Sequence, residues 1–83
     1  MTTVERLKGI LRDSLQLGDR ANALTPSSAL LGAIPEFDSM AVVNVLTMIE
    51  DEFGVSIADD EVSGDIFATL GDLATFVDGK VEG

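Results

Sequence analysis

Eighty-three residues with 46% apolar side chains, a formal net charge of −10 and neither cysteine nor histidine set narrow bounds on this chain. The length suits one domain, 1–83, near the lower limit for a single apolar core, and no disulfide or thiolate metal site can reinforce it. Without histidine or cysteine, Ser-His-Asp chemistry, zinc hydrolysis and cysteine nucleophiles are excluded within the chain, so a non-catalytic role is expected.

Thr2-Thr3-Val4-Glu5 fits a capping box, in which the Thr2 hydroxyl and the Glu5 carboxylate satisfy free amides at a helix start. Val4, Leu7, Ile10, Leu11 and Leu15 then share one face, and Gly18 suits a stop, which predicts a helix over 3–17. This first segment is near neutral, with Arg6, Lys8, Arg12 and Arg20 against three acids. Residues 21–83 hold twelve acids and only Lys80. Such a field repels nucleic-acid phosphates and anionic membrane surfaces and favours basic protein partners. No apolar run reaches membrane-spanning length and no signal-like h-region is present, so the expected location is the cytoplasm.

Residues 18–38 are dense in Gly, Pro, Asn and Ser, which predicts a long loop. Leu24, Leu30, Leu31, Ile34 and Phe37 are too many apolar side chains to leave in water, so the loop is expected to pack over the bundle, with one helical turn near 27–31. In 39–53 the β-branched Val42, Val43, Val45 and Ile49 favour a strand locally. Periodicity overrides that preference: Val42, Val45, Leu46, Ile49 and Phe53 gather on one side at helical spacing, with Asp38-Ser39 as the cap and Gly54 as the stop. A shorter helical piece is expected at about 59–66. A last helix over about 70–80 opens on the capping pattern Thr69-Leu70-Gly71-Asp72 and carries Leu70, Leu73, Phe76, Val77 and Val81. The predicted fold is all-α: a small four-helix bundle of three longer helices and one short one, with a long packed loop between the first two.

Ser39 falls at the first turn of the helix predicted over 39–53, beside free amides and the positive end of the helix dipole, where a phosphate is stabilised. Asp38-Ser39 is equally an ordinary N-cap. The face opposite the core holds Met40, Val43, Asn44, Thr47 and Asp51, with Glu50 alongside. Glu50, Asp51 and Glu52 stand in the last turn, where the macrodipole favours cations, and a local rule broken at three consecutive positions points to function or to a merely solvated acidic surface.

The helix, long loop, F-D-S-M helix start, helix ending E-D-E-F-G and two later helical pieces resemble the acyl carrier protein family over nearly the whole chain. The resemblance implies that Ser39, preceded by Asp38, is esterified with 4′-phosphopantetheine from coenzyme A, and that the arm's thiol holds an acyl cargo as a thioester. It implies as partners a phosphopantetheinyl transferase, an acyl-activating ligase and acyl-transferring or condensing enzymes of fatty acid or polyketide type. Their basic docking patches would meet Met40, Val43, Asn44, Thr47, Glu50, Asp51 and the acids at 59–61, with the chain monomeric. Met40 stands where the family usually has leucine, Asn44 where it commonly has an acid, and Ala41 and Val42 replace frequently polar positions. The F-A-T-L-G-D-L segment resembles carriers beside exosortase-linked exopolysaccharide systems. A cavity lined by Val43, Leu46, Ile57, Ile66 and Ala68 would admit a slender apolar guest.

Three other readings stand beside this one. A peptidyl or aminoacyl carrier is similar in pattern. A cofactor-free acidic helical interaction module would use Met40 and Val43 as anchors. A calcium loop fits Asp59, Glu61, Ser63, Gly64 and Ile66, but its twelfth position is Leu70, which has no side-chain oxygen.

Overall fold

The computed structural model describes residues 2–35 and 37–82, without the side chain of Asp59. Its regular elements are helical: α1 (Thr3–Leu15), α2 (Ser39–Phe53) and α3 (Leu70–Glu82), with 3-10 helices at Gly18–Ala23, Asp59–Glu61 and Gly64–Phe67. The all-α bundle expected from the periodicity is present, and α1 packs against both α2 and α3.

The Thr2 hydroxyl accepts the Glu5 amide at 3.2 Å and starts α1. Only this half of the expected capping box forms, since the exposed Glu5 carboxylate bonds to none of the described residues. Leu7, Ile10, Leu11 and Leu15 are buried, while Val4 is only partly so. The helix ends at Leu15 rather than 17. Gln16 takes the left-handed conformation at φ 54, and the Leu17 amide returns to the Arg12 carbonyl at 3.0 Å. This turn directs Leu17 and Ala21 into the core, so helix termination falls on Gln16 and not on Gly18.

The expected turn at 27–31 is absent, and the local helix instead occupies Gly18–Ala23. Residues 26–31 lie along 67–71, with an antiparallel bridge between Ala29 and Thr69. Leu30 and Leu31 donate to the carbonyls of Ala68 and Phe67 at 3.2 and 3.0 Å. In return, the Leu70 and Gly71 amides donate to Ser28 and Pro26 at 2.9 and 2.8 Å. Backbone groups of the loop thus satisfy orphan donors at the start of α3, which a helical turn at 27–31 would have used internally. Leu30 and Phe37 are buried and Leu24 and Ile34 half-buried, whereas Leu31 is 46% exposed, contrary to the expectation that all five pack.

In α2, Val45 and Ile49 are fully buried and Val42, Leu46 and Phe53 lie at the core's edge. Ala41, which the apolar pattern passes over because of its size, is buried as well. Gly54 at φ 66 ends the helix, its amide bonded to the Glu50 carbonyl at 2.9 Å. The short helix expected at 59–66 is two separate 3-10 turns, broken at Val62-Ser63. The second buries Phe67, whose ring meets Phe37 edge-on with centroids 5.4 Å apart. The Thr69 hydroxyl accepts the Asp72 amide at 3.0 Å and opens α3, where Leu70, Leu73, Ala74 and Val77 are buried. Phe76 is half-buried and Val81 stays exposed, outside the core stripe predicted for it.

Candidate functional site

Two buried residues, Phe37 and Ala41, bracket the start of α2 and fix its entry into the core. The intervening Asp38, Ser39 and Met40 are therefore turned outward, and all three are exposed. The Asp38 carboxylate accepts the Ala41 amide at 2.9 Å, which makes Asp38 the N-cap and leaves Ser39 as the first helical residue. The Ser39 hydroxyl and the amides of Ser39 and Met40 have no partner among the described residues.

That arrangement fits a phosphate ester. The hydroxyl is open to solvent, two free amides and the dipole's positive end of a 15-residue helix lie beside it, and the neighbouring carboxylate is engaged with the backbone. The other serines differ. Ser14 has its oxygen buried without a partner among the described residues, and Ser28 accepts the Thr25 amide at 2.9 Å. Ser27, Ser56 and Ser63 are exposed, but none opens an α-helix. Ser39 also lines neither the open groove of about 320 Å³ between α1 and the first 3-10 turn nor the smaller one edged by Leu17, Leu24 and Ile34.

Along α2, Met40 and Val43 are 76% and 62% exposed, and Asn44, Thr47 and Asp51 continue the same outward face. The Thr47 hydroxyl donates to the Val43 carbonyl at 3.0 Å. The three acids of the last turn divide. Glu50 is half-buried, and its carboxylate accepts the Ile57 amide at 2.8 Å. Glu52 receives Arg6 Nη2 at 3.0 Å and Nε at 3.2 Å. Arg6 also donates to the Glu52 main-chain carbonyl at 2.8 Å and stacks 4.1 Å from the centre of the Phe53 ring. The cation that the α2 dipole calls for is thus supplied by α1. Only Asp51 of the three acids makes no bond to a described residue.

Of the acids at 59–61, Asp60 is exposed and the Asp59 side chain lies outside the described residues. Glu61 accepts Lys80 Nζ at 2.6 Å and the Ala58 amide at 2.8 Å. The Lys80 hydrogen bond, and after it the Ala58 amide, hold the Glu61 carboxyl below its ordinary range. Glu61 is tied to α3 and does not point into a calcium loop. The residues expected to line an apolar cavity separate: Leu46, Ile57 and Ile66 pack half-buried against the core, whereas Val43 and Ala68 are exposed.

The family profile described as "Phosphopantetheine attachment site" matches residues 5–77. The chain is similar over its whole length to the solution structure of a holo acyl carrier protein from Nitrosomonas europaea, with 53% identity, full coverage of both chains and a TM-score of 0.92. It is 39% identical to an acyl carrier protein of Beutenbergia cavernae over 53% of this chain and 51% of that protein. It is 28% identical to the meromycolate extension acyl carrier protein of Mycobacterium leprae over 72% of this chain and 50% of that protein. The chain spans about half the length of these curated relatives. It belongs to the phosphopantetheine-attachment family and, within it, to the acyl carrier proteins, whose prosthetic group is covalent 4′-phosphopantetheine.

Proposed function

We propose that this chain is a non-catalytic carrier, a single domain in which Ser39 is the attachment point of 4′-phosphopantetheine. The observation that carries the reading is the uncommitted, exposed Ser39 hydroxyl on the first turn of α2, inside the segment matched by the family profile. The arm supplies the thiol on which acyl cargo is held as a thioester. Asp38 holds the helix start and so presents Ser39, while Met40, Val43, Asn44, Thr47, Glu50 and Asp51 form the face that partner enzymes approach. Those partners are a phosphopantetheinyl transferase, an acyl-activating ligase and acyl-transferring or condensing enzymes. No described helix is long and apolar enough to cross a membrane, and the acidic surface disfavours nucleic acid, which supports a monomeric cytoplasmic carrier.

Incubation of the apo protein with coenzyme A and a broad-specificity phosphopantetheinyl transferase tests this. Intact-mass spectrometry is expected to show the addition of one arm, abolished by Ser39→Ala. An unchanged mass refutes the proposal and favours the cofactor-free interaction module, and an addition that survives the substitution refutes Ser39 as the attachment point.

A further inference from the structure

We propose that the groove between α1 and the first 3-10 turn binds a small phosphate monoester that carries a hydroxyl, held by Lys8, Arg12 and Asn22 over the bare backbone of Gly9. The site is separate from Ser39 and does not depend on the carrier reading.

The groove measures about 320 Å³, the lower end of the range that small ligands fill, and Glu5, Lys8, Gly9, Arg12, Ala21 and Asn22 line it. Its lining serves the fold poorly in three ways. Lys8 and Arg12 set like charges at i and i+4 of one helix, where they repel. Arg6, Arg12 and Lys80 are paired with Glu52, Asp13 and Glu61, but the half-buried Lys8 pairs with none of the described residues, in a chain whose acids outnumber its cations by 15 to 5. Gly9 lies inside α1, where glycine weakens a helix relative to alanine. Its φ is not positive, and a Cβ there would meet nothing within 4 Å, so neither conformation nor packing requires glycine. What the missing side chain provides is close approach to the groove floor.

An anion above Gly9 accounts for all three. The Lys8 ammonium brings three donors, and Arg12, which gives Nε to Asp13 at 3.2 Å, keeps its Nη donors for a ligand. The exposed Asn22 side chain, without a partner among the described residues, adds an amide from the 3-10 turn. Two cations and an amide match the charge of about −2 and the three acceptor oxygens of a phosphate monoester. Glu5 sets the other end. It stands one turn before Lys8 and Gly9, its carboxylate bonded to no described residue, and it accepts a ligand hydroxyl while repelling a second anion. A hydroxylated monoester is therefore favoured over a dicarboxylate. The acidic surface beyond the groove opposes binding through its long-range field, which sets the affinity in the millimolar range.

Amide shifts of the full apo chain, followed by NMR during titration with glycerol 3-phosphate at constant ionic strength, test the site. Saturable shifts are expected at Lys8, Gly9, Arg12, Ala21 and Asn22, with succinate binding at least about threefold more weakly and Glu5→Gln narrowing that difference. Lys8→Gln is expected to raise the half-saturation concentration about fivefold to tenfold. Gly9→Ala is expected to raise Tm by about 2–8 °C while weakening binding, a pair of opposite changes that a purely structural glycine would not give. The proposal is overturned if the shifts do not saturate, if they fall at the Ser39 and Met40 amides instead of the groove, if succinate binds equally well, or if Lys8→Gln leaves the half-saturation point unchanged.

Discussion

Replacing Gly71 by alanine sets two opposed effects against each other in the first turn of α3. Intrinsic propensity favours alanine over glycine inside a helix by about 1 kcal/mol, so on local grounds the variant should be more stable. The tertiary structure reverses this. A Cβ at Gly71 would stand 2.9 Å from the Pro26 carbonyl oxygen and 3.4 Å from Pro26 Cβ, and the oxygen belongs to backbone that cannot swing aside. It is also the acceptor of the Gly71 amide at 2.8 Å, so relief of the clash breaks that bond. Overpacking of this kind costs about 1–3 kcal/mol and the lost hydrogen bond about 1 kcal/mol. After the propensity gain, a net loss of about 1–3 kcal/mol remains. For a domain of this size that lowers Tm by roughly 5–15 °C. Urea denaturation followed by circular dichroism measures it. The control is Gly79→Ala: Gly79 lies in α3 with open space around its missing Cβ, and it is expected to gain about 0.5–1 kcal/mol from propensity alone. Equal stabilisation of both variants would refute the close strapping of loop 26–31 onto α3.

Asp38→Ala removes the acceptor of the Ala41 amide and is expected to destabilise the fold by about 1 kcal/mol in denaturant titration. Asp38→Asn, which retains an acceptor, should recover most of it. Arg6→Ala should lower stability by up to about 1 kcal/mol, discounted for the partial exposure of both ion-pair partners, and expose Phe53 to solvent. The Glu61 carboxyl lies below its ordinary value of 4.5 in the folded state, so its pairing contributes stability above that pH, lost as pH falls through the lowered folded value. Lys80→Met is expected to flatten that acid-side dependence of Tm. In the loaded carrier, methyl shifts at Leu46, Ile57 and Ile66 should move as the attached acyl chain lengthens, and invariance would exclude its insertion beside them.

The sequence made legible whatever is decided within one or two helical turns. The caps at Thr2, Asp38 and Thr69 each follow from a side chain and an amide three positions apart, and the stop at Gly54 from its own amide and a main-chain carbonyl four positions back. The outward position of Ser39 and Met40 followed from the same local periodicity. What escaped was settled by distant partners. The loop 26–31 is extended because the start of α3 needs acceptors some forty residues away, a demand invisible in the loop's own composition. The acidic turn at 50–52 looks like a breach of the dipole rule only until Arg6, forty-six residues earlier, is seen against Glu52. Glu61 is likewise assigned by Lys80, nineteen residues on. Gln16 shows the remaining kind of miss: a glycine two positions away offered the stronger stop signal, but the burial of Leu17 and Ala21 set the turn earlier.

The carrier account stands most directly on which hydroxyl receives the arm. Fragment-ion mapping of the loaded protein, able to distinguish Ser14, Ser27, Ser28, Ser39, Ser56 and Ser63, measures this. The account predicts the whole of the added phosphodiester on Ser39. Its appearance on any of the other five, with Ser39 unmodified, would contradict it.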